Sequence, residues 1–208
     1  MMTGLKIITA PTVEPVTLAE AKLFAKVDLT DDDALITALI VAARQKAESY
    51  TRRAFVTQTW EWMIDGAPGL ASDDMDDLPR GWPWTLTYPG HGYLAVPRPP
   101  LISVVSVKYY DLSDAETLWA SSNYVVDIHS EPGRILLASS KTWPSSLRPY
   151  NSMVIRFTAG YGATAADVPD AIKTAIKLIV AHWYQNRESE EIPPEARRIL
   201  DAYRVMTL

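Results

Sequence analysis

The sequence predicts an α+β protein in which helices come first, strands follow and helices return. Three observations predict it. Apolar residues recur at helical spacing in residues 18–51 and again in 168–187, and period-two alternation runs through 56–64 and 101–109 between them. No helical pattern separates one strand from the next, so the order is not the alternating βαβ of a parallel sheet.

In PVTLAEAK, Thr17 precedes Glu20 by three positions, a spacing at which each side chain satisfies the other's free backbone amide. A first helix over Leu18 to Val27 follows. Thr30 is the expected N-cap of a second helix, with Asp31, Asp32 and Asp33 at the positive end of its dipole. Its apolar stripe is Ile36, Ile40, Ala43, Ala47 and Tyr50, with Leu35, Leu39 and Ala42 on the adjoining row, and it runs to Thr51. A strand then carries Val56, Gln58, Trp60, Trp62 and Ile64 on one face and Thr57, Thr59, Glu61 and Met63 on the other.

Between Asp65 and Leu94 the chain is dense in Gly, Pro and Asp and reads as a long excursion. Strands resume in LISVVSVKYYD, where Leu101, Val105, Val107 and Tyr109 share a parity, and in YVVDI and RILLA. The last two flank SEPGR, read as a type II turn with Pro132 presetting the backbone and Gly133 supplying a positive φ. MVIRFTAGYG closes the strands, with Gly160 and Gly162 releasing the chain. In the helix that follows, Ile172, Ile176, Ile179 and Trp183 form one stripe beside Ala171, Ala175 and Leu178, and the pattern stops near Arg187. After ESEE, the Pro193-Pro194 pair opens a short helix whose apolar side is Ile199, Leu200 and Tyr203.

The 208 residues are 48% hydrophobic and 22% charged, enough apolar material for a core. With 20 Lys+Arg against 25 Asp+Glu the formal charge is -5, which lacks the basic surplus that neutralises a nucleic-acid backbone. The absence of cysteine excludes disulfides, thiolate metal sites and cysteine nucleophiles together. MMTGLKIITAP is too short in its apolar run for a signal peptide, and no run reaches the length of a membrane span, so the expected site of synthesis is the cytoplasm.

Candidate chemistry is sparse. His182 lies on the long helix, but His91 and His129 are far off in sequence, and no H-E-x-x-H spacing is present. The run Asp73, Asp74, Asp76, Asp77 lacks the order and the glycine of a calcium loop, and Glu190-Glu191 reads as a polar linker. AGYG lacks the third glycine and the βαβ setting of a dinucleotide turn. The seven tryptophans and ten tyrosines are not interleaved with basic residues as a single-strand platform would be. The reading is therefore a non-enzyme without cofactor or metal, whose long helix packs.

Taken together, PVTLAEAK, DDDALITALIVAARQKAESYTRRAF, VTQTWEW, VPRPPLISVVSVKYYD, NYVVD, EPGRI, FTAGYG and VPDAIKTAIKLIVAHWYQNRE resemble the head-tail connector proteins of tailed phages and gene transfer agents, also called adaptor or head-completion proteins. The resemblance covers almost the whole chain in order, and it implies one connector domain over 1–208. In that domain a helical bundle, from 15–53 and 167–188, carries an inserted antiparallel β portion over 55–160 and a tail helix over 193–206. It further implies a ring of about twelve copies under the portal protein, using head-to-tail contacts between copies. Such a ring extends the DNA channel, binds the portal and the next tail or stopper component, and lets DNA pass without specific binding. The expected location is the head-tail interface of the virion, after assembly in the host cytoplasm.

The tail helix is the candidate portal contact, through Arg197, Arg198, Leu200, Tyr203 and Arg204, since arginine and tyrosine concentrate at interface hot spots. The alternative is that it packs back on its own bundle. Asp73, Asp74, Asp76, Asp77, Trp82 and Trp84 are assigned to a loop facing a neighbouring subunit or the tail component, in an excursion longer than the link usual in the family. Two other functions stand against this one. A small hydrolase would act through His182 with a carboxylate, and a DNA-packaging factor would need the basic surplus that is missing.

Overall fold

The computed structural model describes residues 4–67 and 92–205; Asp73, Asp74, Asp76, Asp77, Trp82 and Trp84, together with His91, lie outside the described residues. The fold is mixed α+β with antiparallel sheets. Contacts among the described residues divide the chain into two compact units: a β unit of 4–10, 58–67 and 92–159, and a helical unit of 11–57 and 160–205.

The helical unit begins with α1, Leu18–Ala25. Its capping box forms as expected: Glu20 N donates to Thr17 Oγ1 across 3.2 Å, and Thr17 N donates to Glu20 Oε2 across 2.8 Å. Lys26 ends it in the left-handed conformation. The second helix, α2, spans Asp33–Thr51, and its N-cap is Asp32 instead of Thr30. Thr30 contributes its carbonyl to Asp33 N in the turn just before the helix. The stripe Ile36, Ile40, Ala43 and Ala47 is buried, but Leu35 and Ala42 on the expected adjoining row face solvent. Arg44, Glu48 and Thr51 are buried in α2 beside the stripe. The buried face is therefore flanked by Arg44 and Glu48, which satisfy one another, and not by Leu35 and Ala42.

A single 3-10 turn, Ala165–Asp167, repeats the capping box with Thr164 and Asp167, and α3 follows over Asp170–Gln185, ending short of Arg187. Ile172, Ile176 and Ile179 are fully buried; Trp183 is half-buried at the edge of the core, its indole donating to Glu191 O. The last helix, α4, is Pro194–Asp201 and stops well before 206. Past it the backbone turns to α2, where Val205 N donates to Thr51 O. The strand expected to start at Val56 starts two residues later, because Val56 bridges Gly162 and Thr57 N donates to Gly162 O within the helical unit. Gly160 makes that approach possible: its φ is 138° and a Cβ there would stand 2.6 Å from the Val56 carbonyl carbon.

The β unit contains a five-stranded sheet in the order β1-β2-β8-β4-β5 and a three-stranded sheet in the order β3-β7-β6. The strands are β1 Gly4–Thr9, β2 Gln58–Ile64, β3 Tyr93–Ala95, β4 Leu101–Tyr110, β5 Glu116–Trp119, β6 Tyr124–Asp127, β7 Arg134–Leu137 and β8 Met153–Ala159. Strand β1 has no counterpart in the sequence reading. All six of its residues are exposed at the sheet edge, so no buried face imposes a period on them. Its register on β2, with Ile7 opposite Trp60, is nonetheless regular up to a shift after Ile7.

Strand β4 corrects the expected parity. Its register against β8 shifts between Leu101 and Ser103 and again between Val104 and Ser106, so Leu101 and Val107 are buried while Val105 is 57% exposed. An extra residue on one strand moves the side chains beyond it to the other face. The SEPGR turn is also not type II: the Glu131-Pro132 peptide is cis and Gly133 lacks a positive φ. Glycine is required there for space, since a Cβ would sit 2.5 Å from Leu101 Cβ.

Candidate assembly surfaces

The sequence of the tail helix sorts its residues by periodicity. Ala196 and Leu200, one turn apart, are buried in the helical core, with Ile199 and Tyr203 partly buried against it. Leu200 therefore anchors the tail and is not part of any surface. Arg197, Arg198 and Arg204 are exposed. The return of the tail onto α2 is held by polar contacts as well: the Tyr50 hydroxyl donates to Asp201, Arg53 Nε donates to Tyr203 O, and the Arg204 guanidinium lies 5.3 Å from the Tyr50 ring centroid. Donating this bond to Asp201 raises the Tyr50 pKa, because losing the proton would break the bond and set the phenolate against the Asp201 carboxylate.

His182 stands near the C-terminal end of α3 between two polar side chains. Its Nε2 is 3.2 Å from Ser189 Oγ and its Nδ1 is 3.4 Å from Asn186 Nδ2. The same Asn186 nitrogen donates to the His182 carbonyl across 3.0 Å. Among the described residues no group of three or more His, Cys, Asp or Glu is placed to hold a metal, and no helix is long and apolar enough to cross a membrane.

Within the helical unit, Arg44 joins three segments. Its Nε donates to Glu14 Oε2 across 2.7 Å and its Nη1 to Glu48 Oε2 across 2.8 Å, while Glu48 Oε1 accepts from Phe55 N across 2.8 Å. Burial alone would lower the Arg44 pKa; the bonds and charges of Glu14 and Glu48 outweigh it and raise it. Sequence reasoning missed this group. The signal available was the four-residue spacing of Arg44 and Glu48, which on a surface helix is an ordinary ion pair.

Two apolar features of the helical unit lie in the open. Leu23 on α1 is 83% exposed and Leu29, in the connection to α2, is 72% exposed, with the exposed Lys26 between them in sequence. Elsewhere in the unit a pocket of about 430 Å³ is walled by Val13, Val16, Leu18, Ile40, Thr37 and Ala165 among others.

Residues 15–82 match the family of phage gp6-like head-tail connector proteins. No curated protein sequence is a significant match. Among solved structures, the fold matches a chain in the neck of an empty gene transfer agent particle computed with C6 symmetry, with a TM-score of 0.74 and 19% identity over 100% of this chain and 97% of that one. It also matches a chain of the native gene transfer agent virion, with a TM-score of 0.71 and 19% identity over 98% and 96%. A third match is a chain in the neck of the native particle computed with C12 symmetry, with a TM-score of 0.67 and 19% identity over 100% and 97%. The resemblance read from the sequence holds: through residues 15–82 the chain matches the head-tail connector family, and along its whole length it has the fold of a gene transfer agent neck chain.

Proposed function

We propose that the protein is a structural head-tail adaptor of a tailed particle. Copies form a ring beneath the portal, of about twelve by the use of one head-to-tail contact repeated around an axis. The ring extends the DNA channel and gives the next tail component its docking surface. The observation that carries this reading is the fold match over 100% of this chain and 97% of a neck chain. The net charge of -5 suits a channel that DNA slides through, since phosphate finds no basic surplus to hold it. The exposed Arg197, Arg198 and Arg204, with Tyr203 beside them, are the side chains offered to the portal, and Leu200 holds the helix that carries them. The chain assembles in the host cytoplasm and resides in the virion neck.

The protein is not an enzyme in this reading. A hydrolase through His182 is disfavoured by its neighbouring set of Ser189 and Asn186, which offers no carboxylate. Negative-stain microscopy of the purified protein, alone and mixed with the portal protein of its own particle, tests the reading. Rings, or rings seated on portals, are the expected result. A persistent monomer that ignores the portal and turns over ester or peptide substrates overturns it. His182→Ala is expected to leave rings and particles forming; loss of infectious or transfer-competent particles with fold and ring intact would return a chemical role to that residue.

A further inference from the structure

We infer that Leu23 and Leu29 of one copy seat in the apolar pocket of the next copy, walled by Val13, Val16, Leu18 and Ile40, so that one repeated contact closes the ring. The inference rests on the ring-forming adaptor reading and specifies its subunit contact.

Exposed leucines at 83% and 72% are expensive to leave in water, and a pocket lined chiefly by apolar side chains is equally unfavourable when wetted. One copy cannot join the two. Leu18 lines the pocket, and Leu23, five residues further along the same helix, projects about 140° around its axis from Leu18. Projecting leucines and a receiving pocket on different faces of one molecule make a heterologous contact, which closes into a ring when the rotation per copy divides a full turn. The necks whose chains share this fold were computed with C6 and C12 symmetry, the cyclic kind that such a contact generates.

The charges agree with that pairing. Lys26, between the two leucines, is exposed and has no carboxylate partner among the described residues. Thr164 and Ala165 belong to the pocket wall, and Asp167 beside them is held by the amide and hydroxyl of Thr164 with no cation in contact. Those two bonds also keep its carboxyl ionised by lowering its pKa. Asp28 is an exposed acid on the same connection as Leu29, so the complementarity is carried by Lys26 and not by the connection as a whole.

The absence of cysteine makes the contact directly testable. In a Leu23→Cys/Ala165→Cys chain assembled into rings, alone or on the portal, a short bis-maleimide is expected to give a ladder of covalent multimers. Neither single variant should give one, and the two single variants mixed should give covalent dimers only. Rings visible by microscopy that yield no ladder overturn this contact while leaving the adaptor reading intact. If the wild-type chain forms no ring under any condition, the adaptor reading fails first. As a second variant, Leu23→Glu/Leu29→Glu, which changes only exposed positions, is expected to keep its circular dichroism and melting temperature and to lose ring formation at least tenfold in concentration dependence. Unchanged ring formation by that variant would also overturn the contact.

Discussion

Arg44 Nη1 lies 2.8 Å from Glu48 Oε2, one helical turn along α2, with both side chains buried. The pair does more than neutralise itself. Through Glu48 it binds the Phe55 amide where the chain leaves the helix, and through Glu14 it ties down the segment before α1. It is therefore a fastening between three stretches of backbone that have no helix or strand ladder in common.

Breaking this fastening should be costly. Arg44→Ala leaves Glu48 buried without its cation, and about 3 to 5 kcal/mol of stability is expected to be lost. In Arg44→Met/Glu48→Gln the buried Glu48 charge is removed as well, leaving only the partly exposed Glu14 without its cation, and the amide can still accept from Phe55 N, so part of that loss should return. Urea unfolding of the three proteins checks the order. A single Arg44→Ala variant as stable as wild type would mean that water reaches the site.

Burial separates two neighbours on one stripe of α3. Ile179 is fully buried, and Ile179→Ala should cost about 2 to 5 kcal/mol. Trp183 is larger but half-buried, so Trp183→Ala should cost less than Ile179→Ala despite deleting more atoms. Trp183→Phe isolates the indole bond to Glu191 O and should cost about 1 kcal/mol. Thermal unfolding of the three variants gives the ranking, and the reverse order would mean that the outer face of Trp183 is covered in solution.

Acid should loosen the β6-β7 hairpin late. The Asp127 carboxyl is held well below the usual carboxylate range, first by the Ser130 hydroxyl and then by Arg134, with the amides of His129 and Ser130 adding to them. A carboxylate with a depressed folded pKa contributes stability that is complete above its unfolded pKa and is lost as pH falls through the folded one. The loss from this group therefore begins below the unfolded value of about 3.9 and continues to lower pH. In carbon NMR, the Asp127 carboxyl resonance should remain that of the ionised form after the exposed aspartates have titrated. Asp127→Asn should flatten the acid limb of the stability curve; an unchanged limb would show that the hairpin bonds are absent in solution.

The tail helix has two separable roles. Deleting residues from Pro193 removes Ala196 and Leu200 from the core, so the helical unit should lose stability and portal binding should fall with it. Arg197→Glu/Arg198→Glu changes only exposed positions and should leave the melting temperature within a degree or two while weakening portal binding. Sedimentation with portal rings, beside thermal unfolding, separates the two. Normal portal binding by the doubly charged variant would remove these arginines from the contact.

How far the sequence was readable follows from what each residue faces. The stripes of α2 and α3 and the Thr17 capping box were legible because a buried face repeats at the period of the helix and a cap has a fixed spacing. Strand β1 was illegible because it buries no face, and Val105 was misassigned because a bulge consumes a residue without leaving a mark in composition. Arg44 and Glu48 drew no reading at all, since charge at four-residue spacing is most often a surface pair and only Glu14, thirty residues away in the chain, completes the group. Among the residues assigned to the portal contact, Arg197, Arg198 and Arg204 are exposed, whereas the burial of Leu200 depends on contacts with other helices that a single eight-residue segment does not encode.

The helical unit is assembled from two stretches of chain separated by the whole of Gln58–Ala159. During synthesis, Ile36 and Ile40 leave the ribosome long before Ile172 and Ile176, their partners in one core, have been made. At roughly 5 to 20 residues per second the interval lasts several seconds, during which the apolar stripe of α2 lacks the cover of α3. A nascent or truncated chain that lacks α3 therefore has no finished helical unit to offer a neighbour. The helical core can therefore close only once translation has passed α3 and α4.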